Sequence, residues 1–534
     1  MPFELPKVRP DAAERFPLQP RRVQQWLKAL PDLDLDSTTQ RLREALELAN
    51  RQEAPAKARL ESMELLSPTA VRALTALRKR LVARSLPLSL KTQAAFHMHQ
   101  DLLWELQTGY TLALQEKAHT RTWPSRNTAL AIHRGLELLY HEARMAWSLY
   151  QSLREGFWRR TYGLFRHAEG NDVLDFAPRE ALPTRELFLH TAILALSHPY
   201  GLRNGEIGRF AEYLKKSRPQ CSILLGLPAD HGDYVSTLDL GSDTPPEYRP
   251  AEDLKPSAGL RTIDLGPLLD ALTSLGQTTG PGTRTTITNR AALHSALCRR
   301  LIRNLGSVPA RRFSRIPRDD HVEVTFGIAR IHHALTQLQP EPSGTGGAHM
   351  PALPHDTGEY PAHTATGVQE RPWEMWDVIN LGAGGYQLHW PQMRPSGAQV
   401  GEMLAIRIFD TRRERIHIGA VRWIQARAQG DLDIGVQLLA PRVVPIHLEH
   451  EEVYQVDNLS ASPALWLPPV RALNQPPTVV APVGRFQMGA RVVVLSTRGT
   501  HVLELGARLE STGLFERFAY RAVPGRSETE PSRD

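Results

Sequence analysis

The chain of 534 residues contains only two cysteines, Cys221 and Cys298, which are too far apart to indicate a disulfide framework. It has no run of about 18 apolar residues, so the sequence predicts no membrane-spanning helix. Residues 1–7 also lack the charged-then-apolar order of a secretory signal. From these three absences we expect a cytoplasmic protein.

The motifs of common catalytic and metal-binding sites are missing as well. There is no Gly-x-Ser-x-Gly, no His-Glu-x-x-His and no closely spaced pair of cysteines. The glycine-rich segment 276–283 lacks the Gly-Lys-Ser/Thr of a phosphate-binding loop. His97 and His99 are two residues apart and do not share a helix face. We therefore predict a protein that is not an enzyme and holds no metal or cofactor.

Lysine is scarce: only nine of the 64 basic residues are lysines, and none follows Lys255. The net charge is +7, and the isoelectric point is about 9.4. Spread over this length, the charge is too dilute to indicate a nucleic-acid groove by itself. The hydrophobic content of 41% is that of an ordinary globular protein, and the length requires about two to four domains.

Residues 1–305 show mostly the apolar periodicity of helices, and we predict a helical bundle or solenoid there. Ser37 and Gln40 form a capping-box pattern before one apolar helix face. Pro68 is predicted to be the first residue of a second helix, which has its own apolar face. Within this domain, residues 230–265 become rich in Gly, Pro, Asp and Thr and indicate a mixed patch packed on the helices.

Beyond the helices, alternating apolar residues predict an antiparallel barrel over 308–450 and a C-terminal β-rich extension over 451–523. The fold class is therefore multidomain α + β. Segment 340–372, rich in Gly, Pro and His, is predicted to be a disordered insertion in the barrel, and 524–534 a disordered tail. The predicted barrel strands are 322–326, 376–379, 386–390, 403–408, 416–425 and 434–439, and those of the extension are 464–467, 478–480, 491–495, 501–509 and 515–523.

Two motifs of the barrel region are the most informative part of the sequence. Arg311 and Arg315 lie four residues apart directly before the first predicted strand, and a glycine-rich turn follows the second. A tryptophan-bearing strand at 418–423 and an Ile-Gly-Val strand at 433–438 come later. In this order, the segments resemble the PilZ domain, a small β-barrel that in bacteria commonly senses cyclic di-GMP.

The resemblance matches the family's Arg-x-x-x-Arg with Arg311 and Arg315. It matches the family's Asp/Asn-x-Ser-x-x-Gly with Asn380, Gly382 and Gly385. Position 382 departs from the pattern, because glycine replaces the usual serine. The long insertion between the two motifs is a second departure.

The resemblance implies that cyclic di-GMP is the ligand, with Arg311 and Arg315 wrapped over it and Arg312 as an auxiliary contact. A guanidinium can bind phosphate oxygens or a guanine edge through two hydrogen bonds, which lysine cannot do. On the opposing wall, Asn380 would contact a guanine edge, and the ligand-lining glycines would be Gly382, Gly384 and Gly385. The missing serine hydroxyl is worth about 0.5–1.5 kcal/mol of binding.

These observations favour a cytoplasmic, non-enzymatic cyclic di-GMP effector whose helical domain passes the signal to a protein partner. A degenerate PilZ protein that acts as a protein–protein interaction scaffold without nucleotide binding is the first alternative, supported by Gly382 and the long insertion. A nucleic-acid binder, supported only by the basic isoelectric point, is the second. The effector hypothesis requires Arg311 and Arg315 to face the Asn380 turn across one pocket.

Overall fold

The chain divides into two compact units, one formed by Met1–Ala310 with Gln425–Gly430 and the other by Arg311–Ile424 with Asp431–Asp534. We refer to them as unit 1 and unit 2. The computed structural model describes residues 6–31, 34–81, 85–116, 125–179, 181–278, 293, 295–306, 314–338, 373–392, 394–410, 413–427, 430–454, 461–470, 475–496 and 499–523.

Unit 1 is mainly helical, as the sequence predicts. Over the described ranges, no helix of the chain is long and apolar enough to cross a bilayer. The helices of this unit are α1 (Ala12–Arg15), α2 (Pro20–Lys28), α3 (Leu35–Asn50), α4 (Ala56–Arg80), α5 (Leu90–Glu116), α6 (Ser125–Ser148), α7 (Phe157–Gly170), α8 (Thr184–Leu196), α9 (Glu206–Ser217), α10 (Gly266–Thr278) and α11 (Ser295–Gly306).

Two of the predicted helix starts are wrong. Helix α3 begins before Ser37, and its N-cap is Asp34, whose carboxylate accepts a hydrogen bond from the Ser37 amide at 3.1 Å. Pro68 lies inside α4 instead of starting a helix. A proline in a helix interior costs about 3 kcal/mol or more, but buried side chains continue on both sides of it and offset that cost. They include Leu60, Met63, Leu66, Ala70 and Ala73.

The mixed patch predicted at 230–265 is part of a four-stranded antiparallel sheet in unit 1, with strand order β1-β4-β2-β3. Its inward side chains, Leu238 and Ile263, join the core formed by the helices. The strands are β1 (Ser222–Leu225), β2 (Tyr234–Asp239), β3 (Glu247–Pro250) and β4 (Leu260–Asp264).

A fully buried arginine connects three segments of unit 1. The Arg59 guanidinium on α4 donates two hydrogen bonds of 2.6 Å to the carbonyl oxygens of Ala49 and Gln52, at the end of α3. It also donates to the Glu116 carboxylate on α5, from Nε at 2.8 Å and from Nη2 at 2.6 Å. Because all of these donors are satisfied, the charge is tolerated in the core.

Unit 2 begins with a closed antiparallel barrel in the order β10-β7-β6-β5-β8-β9. Each strand predicted for this region lies within an observed strand. Residues 340–372, predicted to be a disordered insertion, and residues 524–534, predicted to be a disordered tail, lie outside the described residues. The strands are β5 (Ile316–Phe326), β6 (Glu374–Gly382), β7 (Gly385–Trp390), β8 (Met403–Asp410), β9 (Arg413–Ala426) and β10 (Leu432–Ala440).

Alternate side chains of these strands point inward and fill the first barrel. Trp376 and Trp390 are fully buried, with ring centroids 5.0 Å apart, and Phe326 packs against Trp376 at 5.7 Å. These large rings occupy the centre of a six-stranded barrel. The signature turn between β6 and β7 is thereby held on a rigid scaffold.

A second closed barrel follows, in the order β11-β12-β13-β16-β15-β14. The domain boundary predicted at residue 450 is wrong, because β11 ends there and already belongs to this barrel. Ile446 and Leu448 of β11 alternate into its core, which explains the placement. The elements are β11 (Val444–His450), α13 (Glu451–Tyr454), β12 (Ser462–Leu467), β13 (Thr478–Pro482), β14 (Arg491–Ser496), β15 (Gly499–Ser511) and β16 (Phe515–Ala522).

The two barrels share an apolar core that includes helix α12 (Ile328–Leu338), which the sequence did not predict. The helix directly follows β5, since Gly327 reverses the chain with a φ of 86°. Ile331 of α12 is fully buried in this shared core. Buried residues from both barrels surround it, among them Met403, Ile418 and Leu439 from the first and Leu465, Val480 and Phe515 from the second.

Candidate ligand-binding site

The start of β5 brings the two sequence motifs together in space. Ile316 pairs with Leu381 and Pro317 with Asn380, before a bulge shifts the register at Asp320. The residue preceding this pairing, Arg315, therefore lies beside the turn that joins β6 to β7. Arg311 and Arg312 lie outside the described residues.

The turn itself has backbone geometry that only glycine fits. Gly382 pairs with Gly385 across a two-residue turn, and the Gly384 carbonyl accepts a 2.9 Å hydrogen bond from the Leu438 amide of β10. A Cβ on Gly385 would lie 1.9 Å from the Val436 carbonyl oxygen. The absence of a side chain thus lets β10 lie directly against the turn.

Gly382 has a different neighbour, the segment that carries the arginine motif. A Cβ at this position would lie 2.7 Å from the backbone oxygen of Ser314. The glycine therefore allows the chain leading into Arg315 to rest on the turn. Glycine in place of the family's serine is therefore what allows this segment to pack here.

Asn380 faces a partner on the neighbouring strand. Its Nδ2 donates a 2.7 Å hydrogen bond to Oε1 of Gln387, the residue opposite it on β7. Among the described residues no other hydrogen bond involves the Asn380 carboxamide. Its Oδ1 therefore remains as an acceptor for a donor group of a ligand.

The charged groups near the turn differ in how they are paired. Arg315 is exposed and has no acidic partner in the described part of the chain. Arg318, three residues later, forms an exposed ion pair of 3.6 Å with Asp320. The unpaired guanidinium is thus the one adjacent to the glycine turn.

Next to the turn, Tyr386 follows Gly385 and is buried. Its hydroxyl lies 2.6 Å from Nδ1 of His417 on β9. Burial raises the pKa of Tyr386 to about 12 and lowers the pKa of His417, which the nearby Arg415 lowers further. Both groups are therefore neutral at pH 7, and this pair contributes hydrogen bonding and packing without charge.

Two site neighbours were not identified from the sequence. Gln437 of β10 is paired with Gly385, and Arg422 of β9 donates from Nε to Oε1 of Gln437 at 2.7 Å. Both residues belong to the two strand motifs recognised in the sequence, but only closure of the barrel brings these strands next to the turn. Beside them, the indole of Trp423 covers Gly435, where a Cβ would lie 1.9 Å from Nε1.

The structure thus brings Arg315 to the turn that contains Asn380 and Gly382, together with Gly384 and Gly385. Five of the seven predicted site residues therefore lie together at the turn between β6 and β7. The two others, Arg311 and Arg312, precede Arg315 by a few residues. Their contribution stays a prediction.

Comparison with known proteins gives matches along most of the chain. A family model described as "Cyclic-di-GMP receptor FimW, N-terminal domain" matches residues 21–229. One described as the FimW middle PilZ domain matches 236–340 and 352–445, and one described as the FimW C-terminal beta-barrel domain matches 456–523.

A full-length relative is the protein named cyclic-di-GMP receptor FimW of Pseudomonas aeruginosa. It is 24% identical over an alignment that covers 94% of this chain and 90% of the relative. No solved structure matches the chain. Because the three family models match in order and the PilZ model contains both signature motifs, the chain belongs to the FimW family of PilZ-domain proteins.

Proposed function

We propose that the protein is a receptor for cyclic di-GMP that has no catalytic activity of its own. The observation that carries this proposal is the contact between the Ser314–Arg315 segment and the turn at Gly382. The name of the Pseudomonas aeruginosa relative supports the same ligand. The site would comprise Arg311, Arg312 and Arg315 on one side and the turn residues Asn380 to Gly385 on the other.

The chemistry of the ligand fits the groups that are available. Cyclic di-GMP carries two phosphates and two guanines, and an unpaired guanidinium such as that of Arg315 can bind either kind of group through two hydrogen bonds. The free Oδ1 of Asn380 can accept from a guanine N1–H or N2–H. Gly382 and Gly385 let the segment before Arg315 and strand β10 pack directly against the turn, which places Arg315 beside Asn380.

We further propose that the helical unit passes the state of the site to a protein partner in the cytoplasm. A separate family model for the helical part supports a distinct role for it, and the two cysteines are both free, as in reducing compartments. Co-purification with the full-length protein as bait, with and without cyclic di-GMP, tests this step. Partner capture that does not depend on the nucleotide would contradict it.

Calorimetry of the purified protein with cyclic di-GMP tests the ligand. We expect binding in the micromolar range or better, and Arg315→Ala to weaken it about tenfold to a hundredfold, because a two-hydrogen-bond contact is worth about 1–3 kcal/mol. Arg311→Ala should have an effect of similar size. Asn380→Ala should have a smaller one, since its partner can turn to water.

Arg318→Ala is the matched control, since it removes an exposed arginine of the same strand region that is paired with Asp320. It should leave the affinity unchanged. Thermal unfolding of each variant separates loss of the contact from loss of the fold. If the wild-type protein shows no binding, the receptor proposal is wrong, and the scaffold alternative takes its place.

A further inference from the structure

A carboxylate of the second barrel is connected to the glycine turn of the first through two side chains. The turn rests on β10, since Gln437 pairs with Gly385 and the Leu438 amide donates to the Gly384 carbonyl. Any shift of β10 at Gln437 therefore moves the wall of the site. The groups that hold Gln437 determine where that wall lies.

Arg422 of β9 holds Gln437 by a side-chain hydrogen bond. Its Nε donates to Oε1 of Gln437 at 2.7 Å, and its Nη1 donates to Oε1 of Glu510 at 2.6 Å. Glu510 lies on β15 of the second barrel, and its side chain is 16% exposed. One guanidinium thus joins the strand beside the turn to the neighbouring barrel.

Glu510 has a second arginine on its other side. Arg517 of β16, directly across from it in the sheet, lies 3.8 Å from its Oε2 and is itself 16% exposed. Burial lowers the pKa of Arg517, the Glu510 carboxylate raises it, and the charge of Arg422 lowers it. Without the carboxylate, two guanidinium groups would face each other, and Arg422 would be pushed away from this side.

The anchor is firm because the barrels share a core. Leu439 of β10, two residues beyond Gln437, packs in the same apolar cluster as Phe515 of β16. Glu510 therefore cannot swing away from Arg422 as an exposed surface carboxylate would. A charge-assisted hydrogen bond is shorter and stronger than a neutral one, and partial burial strengthens it further.

We propose that Glu510 is a positioning residue for the ligand site: through Arg422 and Gln437, it fixes β10 against the glycine turn. The second barrel therefore influences the geometry of the binding site without contacting the ligand. The expected effect on ligand affinity rests on the proposed function, whereas the expected effect on the position of the turn does not. Since coupling between two sites is reciprocal, a ligand at the turn also stabilises β15 around Glu510.

Glu510→Gln tests the inference, with Glu504→Gln as the matched control. Glu504 lies on the same strand and accepts two 2.7 Å hydrogen bonds from Arg521, but among the described residues it forms no hydrogen bond or ion pair with the first barrel. We expect Glu510→Gln to weaken cyclic di-GMP binding about five- to thirtyfold and the control to leave it unchanged. Glu510→Asp should recover part of the affinity.

Hydrogen exchange measured by mass spectrometry separates positioning from simple loss of stability. Without ligand, peptides covering 434–440 should exchange faster in Glu510→Gln than in wild type, at equal protection of β5, which does not pair with β10. With ligand, the peptide 499–511 should become protected in the wild type, and this protection should be lost in Glu510→Gln. A structural role alone would change all barrel peptides together.

The outcomes distinguish the two proposals. If the wild type binds cyclic di-GMP and Glu510→Gln binds equally well, this inference is wrong and the receptor proposal stands. If the wild type does not bind but 434–440 exchanges faster in Glu510→Gln, the receptor proposal fails and the link from Glu510 to the turn remains. If the variant does not fold, Arg422→Gln replaces it, and unchanged exchange at 434–440 in that variant overturns the inference.

Discussion

Replacing Gly382 with the serine usual in the family should weaken ligand binding, although the sequence alone suggests the opposite. From the sequence, serine restores a hydroxyl that donates to a phosphate or ribose, a gain of about 0.5–1.5 kcal/mol. In the structure, however, its Cβ would lie 2.7 Å from the Ser314 carbonyl oxygen, against an ordinary contact of at least 3.4 Å. The segment preceding Arg315 must therefore move by about 0.7 Å.

The size of this movement decides the sign of the effect. A hydrogen bond from Arg315 that lengthens by that amount leaves the useful range, and a lost two-hydrogen-bond contact costs about 1–3 kcal/mol. Subtracting the hydroxyl gain leaves a net loss of about 0.5–1.5 kcal/mol, or about two- to tenfold in affinity. Gly382→Ala has the same steric cost without the hydroxyl and should bind more weakly still.

Calorimetry on wild type, Gly382→Ser and Gly382→Ala measures these differences directly. Circular dichroism and thermal unfolding of all three should be closely similar, because the displaced segment is exposed and lies at the start of β5. The expected order of affinity is wild type, then serine, then alanine. Tighter binding by Gly382→Ser, with alanine equal to wild type, would refute the steric reasoning.

Two further predictions concern the helical unit. Arg59→Met should lower the free energy of unfolding by about 3–5 kcal/mol in urea titrations, because it leaves the Glu116 carboxylate and two backbone carbonyls unpaired. As the control, Lys57→Met on the exposed face of the same helix should change it by less than about 0.5 kcal/mol. Burial lowers the pKa of His99 and His190 to about 4. The unfolded chain therefore binds more protons between pH 6.5 and 4, and stability falls as the pH drops through this window, by up to about 3 kcal/mol per histidine. His99→Gln should flatten the dependence of Tm on pH, while exposed His97→Gln should not; equal profiles would contradict the assignment.

The strands were predictable wherever apolar and polar residues alternate between turn signals. Val322–Phe326 and the Trp376 strand were found in this way, and their pairing follows from closure of the barrel. Helix α12 is not predictable in this way, because it directly follows β5 and its apolar residues are not separated from those of the strand by a longer turn. Strand β11 was missed for a similar reason, since only a few residues separate it from β10.

Only those residues of the candidate site that lie in contiguous sequence motifs were predictable. Arg315 and the glycine turn could be found from local spacing, because each motif is contiguous in the chain. Arg422 and Glu510 could not, since they meet only when strands of two different barrels pack together. Local sequence spacing carries no information on such a contact.

The shared core around Ile331 has a consequence for how this protein can be divided and recombined. The family models separate a PilZ part ending at 445 from a C-terminal part starting at 456, and a cut at 445 falls at the start of β11. A fragment ending at 445 would expose Met403, Ile418 and Leu439 to water, since their packing partners Leu465, Val480 and Phe515 would be gone. The two barrels thus depend on each other for a covered core, and a graft onto another protein must transfer both.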